Sequence, residues 1–345
     1  MIYEWNLLRT IACLSIVLLH STTQISRQTG MPDLELYSIL RIFLCFATPT
    51  FVILSEIILA NKYKEKIPHG FFKTRIKYIL IPFICFAFID ASVSYNYQFD
   101  AALFGKFYRN LLGNYMGYFI LIILQFYLLH YIVVKFKINM FLFTPFSFII
   151  MVIHLYILNF SDSSFIIENQ NYLKLPFTAW LGYFSIAYLI GANYNSVLKY
   201  LSKYKWYILC GVILSVVLLY FSYELGYRRT NSRRVDLFPL VITFSMLILY
   251  IGSRLRSNRI VNMISNYSFG IYLLHWQIQK IIAPHIAGWF SDYFPRVLVL
   301  FIFSVIISMI IVRVFNLIPF GKYIVGKIRV NPDKKLSNKL LVQKT

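Results

Sequence analysis

Apolar residues form long blocks along this chain, and short polar segments separate the blocks. A helix needs about 20 apolar residues to cross the roughly 30 Å of hydrocarbon in a bilayer. Ten blocks are close to this length or longer: residues 4–25, 35–60, 72–95, 116–135, 139–159, 177–195, 205–223, 237–252, 266–286 and 296–317. The pattern predicts an all-α fold, a polytopic membrane bundle of about ten transmembrane helices, over residues 1–330.

The composition agrees with a membrane protein. Of 345 residues, 59% are hydrophobic and 14% are charged, whereas soluble domains average about 45–50% and 25%. The net charge of +21 could suit nucleic acid, but the basic residues cluster in short segments between the apolar blocks. We therefore expect membrane lipid as a partner and no nucleic acid. We expect the first block to be a retained helix and the four cysteines to be small buried side chains, with no disulfide framework or metal site.

The distribution of basic residues predicts the orientation. With the N-terminus in the cytoplasm, 21 basic residues fall on the cytoplasmic side and nine outside. This bias predicts that both termini, including a basic tail at 331–345, are cytoplasmic. One outside loop opposes the bias because it carries four arginines: Arg228, Arg229, Arg233 and Arg234. The loop is either a tolerated exception or an outward basic patch that binds an anionic glycan or lipid.

Two ionisable residues interrupt the first apolar block. Arg9 and His20 are 11 residues apart, which is about 1100° of helical rotation and places both on one face, about 16 Å apart. An ionisable residue inside a membrane is costly and indicates a functional site. The pair therefore predicts a polar track through the bundle. The alternative is that Arg9 extends to the interface and His20 forms a hydrogen bond between helices.

Other charged residues can be matched by their predicted depth in the bilayer. Glu56 is level with Arg9, and we expect these two to form an ion pair because buried charges need partners. Arg41, Asp90 and His20 fall in the outer half. They predict a cluster in which a carboxylate orients the imidazole as a general base. The alternative is a structural pair of Arg41 with Asp90, with His20 elsewhere.

A polar stripe follows one face of the ninth block. Its members fall within about 60° of one another on a helical wheel: Ser268, Tyr272, His275 and Gln279. The stripe should face a cavity or other helices and not lipid. We expect the remaining histidines to be packing or interface residues: His69, His130, His154 and His285.

These motifs resemble those of a known family. Arg9 and His20, with ten residues between them in the first of ten helices, resemble the signature of the acyltransferase-3 membrane proteins. Three further stretches are similar to family motifs: residues 47–55, 75–83 and 268–275. The resemblance covers nearly the whole chain. Within the family, the chain looks most like members associated with poly-β-1,6-N-acetylglucosamine.

The resemblance implies an integral enzyme of the bacterial plasma membrane. It would transfer an acyl group, acetyl or succinyl, from acyl-CoA in the cytoplasm to hydroxyls of a cell-surface polysaccharide such as poly-N-acetylglucosamine, with no bound cofactor. His20 would be the general base and Arg9 would position the donor. A basic rim would bind the phosphorylated donor: Lys73, Arg75 and Lys77. Further donor- or acceptor-binding candidates are Glu56, Arg41, Asp90, Ser268, Tyr272 and His275, the last two lining the pocket or stabilising an oxyanion.

Two other functional classes remain open at this point. An exporter of the polysaccharide could use the same polar track without modifying the glycan. A non-catalytic subunit of a glycan synthase complex would also fit a multi-pass chain. Analysis of the ester groups on the secreted glycan distinguishes the transferase from both.

Overall fold

A computed structural model of the protein describes residues 2–95 and 97–328, and these residues form helices and loops without a β-strand. The predicted basic tail at 331–345 lies outside the described residues. The helices are α1 Tyr3–Thr29, α2 Glu35–Leu44, α3 Ala47–Lys62, α4 Phe71–Arg75, α5 Ile81–Ser94, α6 Ala101–Leu111, α7 Phe119–Phe136, α8 Met140–Phe160, α9 Ser164–Leu173, α10 Leu181–Ala192, α11 Tyr194–Lys203, α12 Lys205–Glu224, α13 Leu237–Arg254, α14 Arg259–Ala287 and α15 Tyr293–Leu317.

Helices of membrane-spanning length account for most of the described chain. Eight segments are long and apolar enough to cross a bilayer: α1, α2 with α3, α4 with α5, α6 with α7, α8, α12, α13 and α15. The pair α9 and α10, bent by 72°, would make a ninth. Helix α14 has 29 residues and is about 44 Å long, but its polar stripe lowers its mean hydropathy. The all-α membrane bundle is confirmed, whereas the count of ten spans and the cytoplasmic termini stay predictions.

Helix α1 lies at the centre of the bundle. It packs against α3, α13, α14 and α15, and its most extensive contact is with α14.

Glycines allow close approach elsewhere in the core. A Cβ atom at Gly191 of α10 would lie 2.4 Å from the carbonyl oxygen of Ile57 in α3, so only glycine allows this crossing.

The third span is irregular at its predicted cytoplasmic end. Residues Ile76–Leu80 form a π-helical turn between α4 and α5. Pro82 lies two residues after this turn, and its missing N–H prevents the regular bond to the carbonyl four residues earlier. The wider turn separates Arg75 at the end of α4 from the regular helix of α5, and it brings Arg75 and Tyr78 to a chamber inside the bundle.

The cysteines differ from the prediction at two positions. All four are free, and Cys13 and Cys45 are buried as expected. Cys85 is only half-buried, and Cys210 is exposed, so the expectation of burial is wrong for Cys210. It lies on α12, most of whose residues are on the outer surface of the bundle, and an apolar block cannot by itself distinguish a face toward lipid from one toward protein.

Candidate active site

The shared face of Arg9 and His20 packs against α14. The Nη1 atom of Arg9 donates hydrogen bonds to Ser265 Oγ (3.0 Å) and to Asn6 Oδ1 (3.3 Å). Further along α1, the ring of His20 stacks on that of His275, with centroids 5.3 Å apart and planes at 25°. The two ionisable residues therefore face one partner helix, as helical geometry predicts.

The predicted polar stripe of α14 is buried. Ser268, Tyr272, His275 and Gln279 are each at most 5% exposed. Gln279 donates from Nε2 to Ser21 Oγ at 2.8 Å, so it fastens α14 to α1 and has a structural role. The stripe and the polar face of α1 meet along their length, and neither face is turned to lipid.

The two histidines differ in their hydrogen bonds. His275 Nδ1 lies 3.1 Å from the carbonyl oxygen of Ile271. Because a carbonyl only accepts, Nδ1 carries the proton and Nε2 carries a lone pair. His275 Nε2 is buried without a hydrogen-bond partner among the described residues. His20 is half-buried, and in the described part of the chain neither of its ring nitrogens forms a hydrogen bond. His20 can therefore exchange a proton with a bound ligand.

A chamber of 440 Å³ lies next to the histidine pair. This volume is in the range of about 300–1,000 Å³ that is common for ligand pockets. Its lining includes three cationic side chains, an apolar wall and the stripe of α14: Arg9, Arg75, Lys327, Phe51, Ser268 and Tyr272. The ring of Tyr272 is 5.6 Å from that of His275. The chamber therefore extends from the cationic side chains to Tyr272, whose ring is the neighbour of His275.

Aromatic rings hold Arg75 in the chamber wall. Its guanidinium carbon lies 4.0 Å from the ring centroid of Phe71 and 5.4 Å from that of Tyr127. Its Nε atom is buried and has no hydrogen-bond partner among the described residues. A guanidinium fixed by two rings presents its donors in a defined direction.

Lys77 is placed differently from Arg75. Its Nζ atom lies 4.6 Å from the ring centroid of Tyr323, outside the chamber lining. A hydrogen bond from Lys77 lowers the pKa of the Tyr323 phenol. Lys327, which lines the chamber, lies 5.8 Å from the ring of Tyr78. Sequence reasoning counted Lys327 only among the 21 basic residues of the cytoplasmic side and missed its place in the wall.

The predicted ion pair of Glu56 with Arg9 is wrong. Glu56 Oε1 is 2.7 Å from His130 Nδ1 on α7, and both side chains are fully buried. Ser55 lines the chamber, and consecutive helical residues point about 100° apart. Glu56 therefore points away from the chamber toward α7, which matching by depth cannot reveal.

The predicted cluster of the outer half also does not form. Asp90 accepts a hydrogen bond from Asn110 Nδ2 at 2.9 Å and lies 3.7 Å from Lys280 Nζ. Arg41 instead donates to Thr23 Oγ1 on α1 at 3.1 Å. Neither the general-base cluster nor the alternative Arg41–Asp90 pair is present, because Asp90 faces α6 and α14 whereas Arg41 faces α1.

The four arginines of the loop at 226–236 have different environments. Arg234 is fully buried and bonds Asp236 through Nε (2.9 Å) and Nη2 (2.5 Å). Arg228 and Arg229 are exposed, and Arg233 is half-buried. The expectation of one basic patch is wrong for Arg234, whose charge is neutralised within the loop.

Comparisons with known proteins give a consistent result. The family model described as "Acyltransferase domain", acyltransferase-3, matches residues 2–313. A Bacillus subtilis (strain 168) protein named "Putative membrane-bound acyltransferase YfiQ" is 31% identical over 359 aligned positions, covering 97% of each chain. A Staphylococcus aureus (strain N315) protein named "Probable poly-beta-1,6-N-acetyl-D-glucosamine export protein" is 32% identical over 286 positions, 78% of this chain and 79% of that protein. A Staphylococcus epidermidis protein of the same name is 28% identical over 78% of each chain. No solved structure matches significantly.

Proposed function

The chain belongs to the acyltransferase-3 family of membrane proteins, and we propose that it transfers an acyl group, acetyl or succinyl, from cytoplasmic acyl-CoA to a hydroxyl of a cell-surface polysaccharide. The observation that carries the proposal is the chamber that extends from three cations to Tyr272, whose ring lies 5.6 Å from that of His275 in the His20–His275 pair. The names of the staphylococcal relatives favour poly-N-acetylglucosamine as the glycan.

The cationic region of the chamber suits a phosphorylated donor. Arg9, Arg75 and Lys327 line it, and Lys77 lies beside it on Tyr323. An arginine guanidinium can donate two hydrogen bonds to two oxygens of one phosphate, and a lysine ammonium adds a localised positive charge. The remaining wall is largely apolar and suits the uncharged arm of the donor. The donor's phosphates at this end would direct its thioester toward Tyr272 and the histidines.

In the proposed reaction, His20 is the general base. It takes the proton from the acceptor hydroxyl while the hydroxyl oxygen attacks the thioester carbonyl carbon. The new C–O bond forms, the C–S bond breaks, and His20 returns its proton to the departing thiolate. The ring of His275, stacked on that of His20 and fixed through Nδ1 to the backbone, holds the His20 ring in place during the transfer.

The expected oxyanion role of Tyr272 and His275 does not suit their hydrogen bonds. The hydroxyl of Tyr272 donates to the carbonyl oxygen of Met116, and Nδ1–H of His275 is directed to Ile271. Both donors are occupied by the backbone. We assign Tyr272 to the wall of the chamber and His275 to the positioning of His20.

Replacing His20 tests the catalytic proposal. His20→Ala should lower acyl transfer by about 10²–10⁴-fold, the usual effect of losing a general base. The assay is transfer of radiolabelled acetyl from acetyl-CoA, and separately of succinyl from succinyl-CoA, to poly-N-acetylglucosamine by purified protein. His285→Ala is the matched control because His285 is exposed near the end of α14. Near-normal transfer by well-folded His20→Ala protein would contradict the role of His20.

Export without modification is the second candidate, since the staphylococcal relatives are named for export. Export needs an open path, and Tyr272 of the chamber wall is held by a hydrogen bond to the carbonyl oxygen of Met116. In cells, a transferase with His20→Ala should still yield surface glycan, but without ester groups. An exporter should lose surface glycan when its path is blocked, with no change in ester content per sugar.

A further inference from the structure

A second cationic site lies near the break between α9 and α10. The side chain of Lys174 is 8% exposed. Its Nζ atom lies 4.3 Å from the ring centroid of Tyr118 and donates to Asn171 Oδ1 at 3.3 Å. Arg233 and Lys106 are close enough to act on Lys174 electrostatically. The carbonyl oxygen of Gln170 accepts hydrogen bonds both from Arg233 Nη1 (3.4 Å) and from the backbone amide of Lys174 (3.3 Å). Lys174 and Arg233 thus form a cluster of like charge at the end of α9, with Tyr118 against Lys174.

Among the described residues, no carboxylate forms an ion pair with this cluster. Within residues 2–95 and 97–328, the ion pairs join Glu56 with His130, Asp236 with Arg234, and Asp90 with Lys280. None of them includes Lys174 or Arg233. A buried cation beside other cations is unfavourable unless an anion binds it. The arrangement is therefore suited to an anionic ligand.

The backbone around Lys174 is held in place. Its carbonyl oxygen accepts a hydrogen bond from Trp180 Nε1 at 2.8 Å. The next carbonyl, of Leu175, accepts one from Gln125 Nε2 at 2.9 Å, and the Oε1 atom of Gln125 accepts from the amide of Phe177. These bonds fix the break between the helices and hold the Lys174 side chain inward instead of in solvent.

The cluster and the donor cations lie beside different parts of the segment that leads into α7. Tyr118 directly precedes Phe119, whose ring is 4.2 Å from that of Tyr272. Tyr127, the neighbour of Arg75, is nine residues further along the chain, or about 13 Å along a helix. A ligand bound near Tyr118 would therefore be close to Phe119 and Tyr272 and separated from Arg75 along α7.

We propose that Lys174 and Arg233 bind an anionic group of the acceptor, a carboxylate or a phosphate, and so position its hydroxyl near His20. The inference rests on the proposed acyl transfer. It favours an acceptor glycan that contains an acidic or phosphorylated sugar over unmodified poly-N-acetylglucosamine, which has neither group. The guanidinium can hold two oxygens of such a group, while the ammonium adds a point charge.

Binding of small acidic sugars tests the proposal without any donor. The full chain in nanodiscs of neutral lipid is titrated with glucuronic acid, glucose 6-phosphate or uncharged glucose, and the melting temperature is followed. We expect saturable stabilisation by an acidic sugar and none by glucose. Arg233→Gln and Lys174→Met should each weaken the apparent affinity at least tenfold. Arg228→Gln, an exposed arginine of the same loop, should leave it unchanged.

The ligand-free melting temperature separates binding from a structural role. Lys174→Met should leave it unchanged or raise it, because the variant removes an uncompensated charge. A fall would indicate that Lys174 is a structural residue and would overturn the proposal. So would equal stabilisation by glucose, absence of stabilisation by both acidic sugars, or a shift seen only when the nanodiscs contain phosphatidylglycerol. Loss of acyl transfer with acidic-sugar binding intact would contradict the proposed function but not this site.

Discussion

Arg9→Lys is the substitution that best tests how the cationic end of the chamber works. Arg9 lines the chamber and its Nη1 donates to Ser265 and Asn6. Lysine keeps the positive charge, but its ammonium group cannot reproduce the hydrogen bonds that a planar guanidinium donates in several fixed directions. One lost hydrogen bond to a charged group costs about 1.5–3 kcal/mol. We therefore expect kcat/KM for acyl-CoA to fall by about 10- to 150-fold.

Two further variants make this prediction specific. Ser265→Ala removes only one acceptor from Arg9 and should cost about 0.5–1.5 kcal/mol, or about 2- to 10-fold in kcat/KM. Arg259→Lys, at the exposed first position of α14, should have no effect. The assay is steady-state release of CoA by purified protein with a saturating acceptor. If the Arg9→Lys protein is as active as the Arg259→Lys control, the reasoning is refuted, and only a positive charge is needed at residue 9.

Three other substitutions test the packing around the site. Glu56→Gln should lower the melting temperature in detergent, because it replaces the carboxylate that His130 contacts in a fully buried site, at a cost of about 1–3 kcal/mol; an unchanged value would contradict the pair. Arg234→Ala should destabilise the protein by about 3–5 kcal/mol, because it leaves Asp236 without its buried partner, whereas Arg228→Ala should not, as measured by thermal unfolding. Gly191→Ala should cost about 1–3 kcal/mol of stability through overpacking against Ile57, and wild-type unfolding would contradict the close helix crossing.

The parts of the site that lie on one helix could be predicted from the sequence. The 3.6-residue period alone places Arg9 and His20 on one face of α1 and Tyr272 and His275 on one face of α14. The cost of ionisable groups in a membrane then predicts that both faces turn inward. The contacts of Arg9 with Ser265 and of His20 with His275 agree with these predictions.

Partners on different helices could not be predicted in this way. Matching by depth gives a residue's level in the bilayer but not the direction of its helix face. Glu56 pairs with His130, and Asp90 with Asn110 and Lys280, because of how α3 and α5 are rotated against their neighbours. Sequence reasoning treated His130 as a packing residue, since nothing local distinguishes a lone histidine that meets a carboxylate from one that meets a backbone carbonyl.

Lys174 shows the same limit for loops. In the sequence it is one of nine basic residues assigned to the outside, and a loop lysine is normally solvated. The 72° bend between α9 and α10, fixed by backbone bonds to Trp180 and Gln125, is what turns it inward over Tyr118. A tertiary contact therefore decides whether this charge lies in water or in a site.

The position of Tyr272 explains how two substrates could meet inside a membrane without an open channel. In the proposed reaction the donor's phosphates lie at Arg75, and the acceptor's anionic group lies at Lys174. The ring of Tyr272 lies 4.2 Å from that of Phe119 and 5.6 Å from that of His275, and its hydroxyl donates to a backbone carbonyl of the segment before α7. Because this hydrogen bond involves one side chain and no charged partner, a rotamer change of Tyr272 is enough to break it. The chamber can therefore deliver an acyl group to the histidines while the bulk of the donor stays at the cationic end.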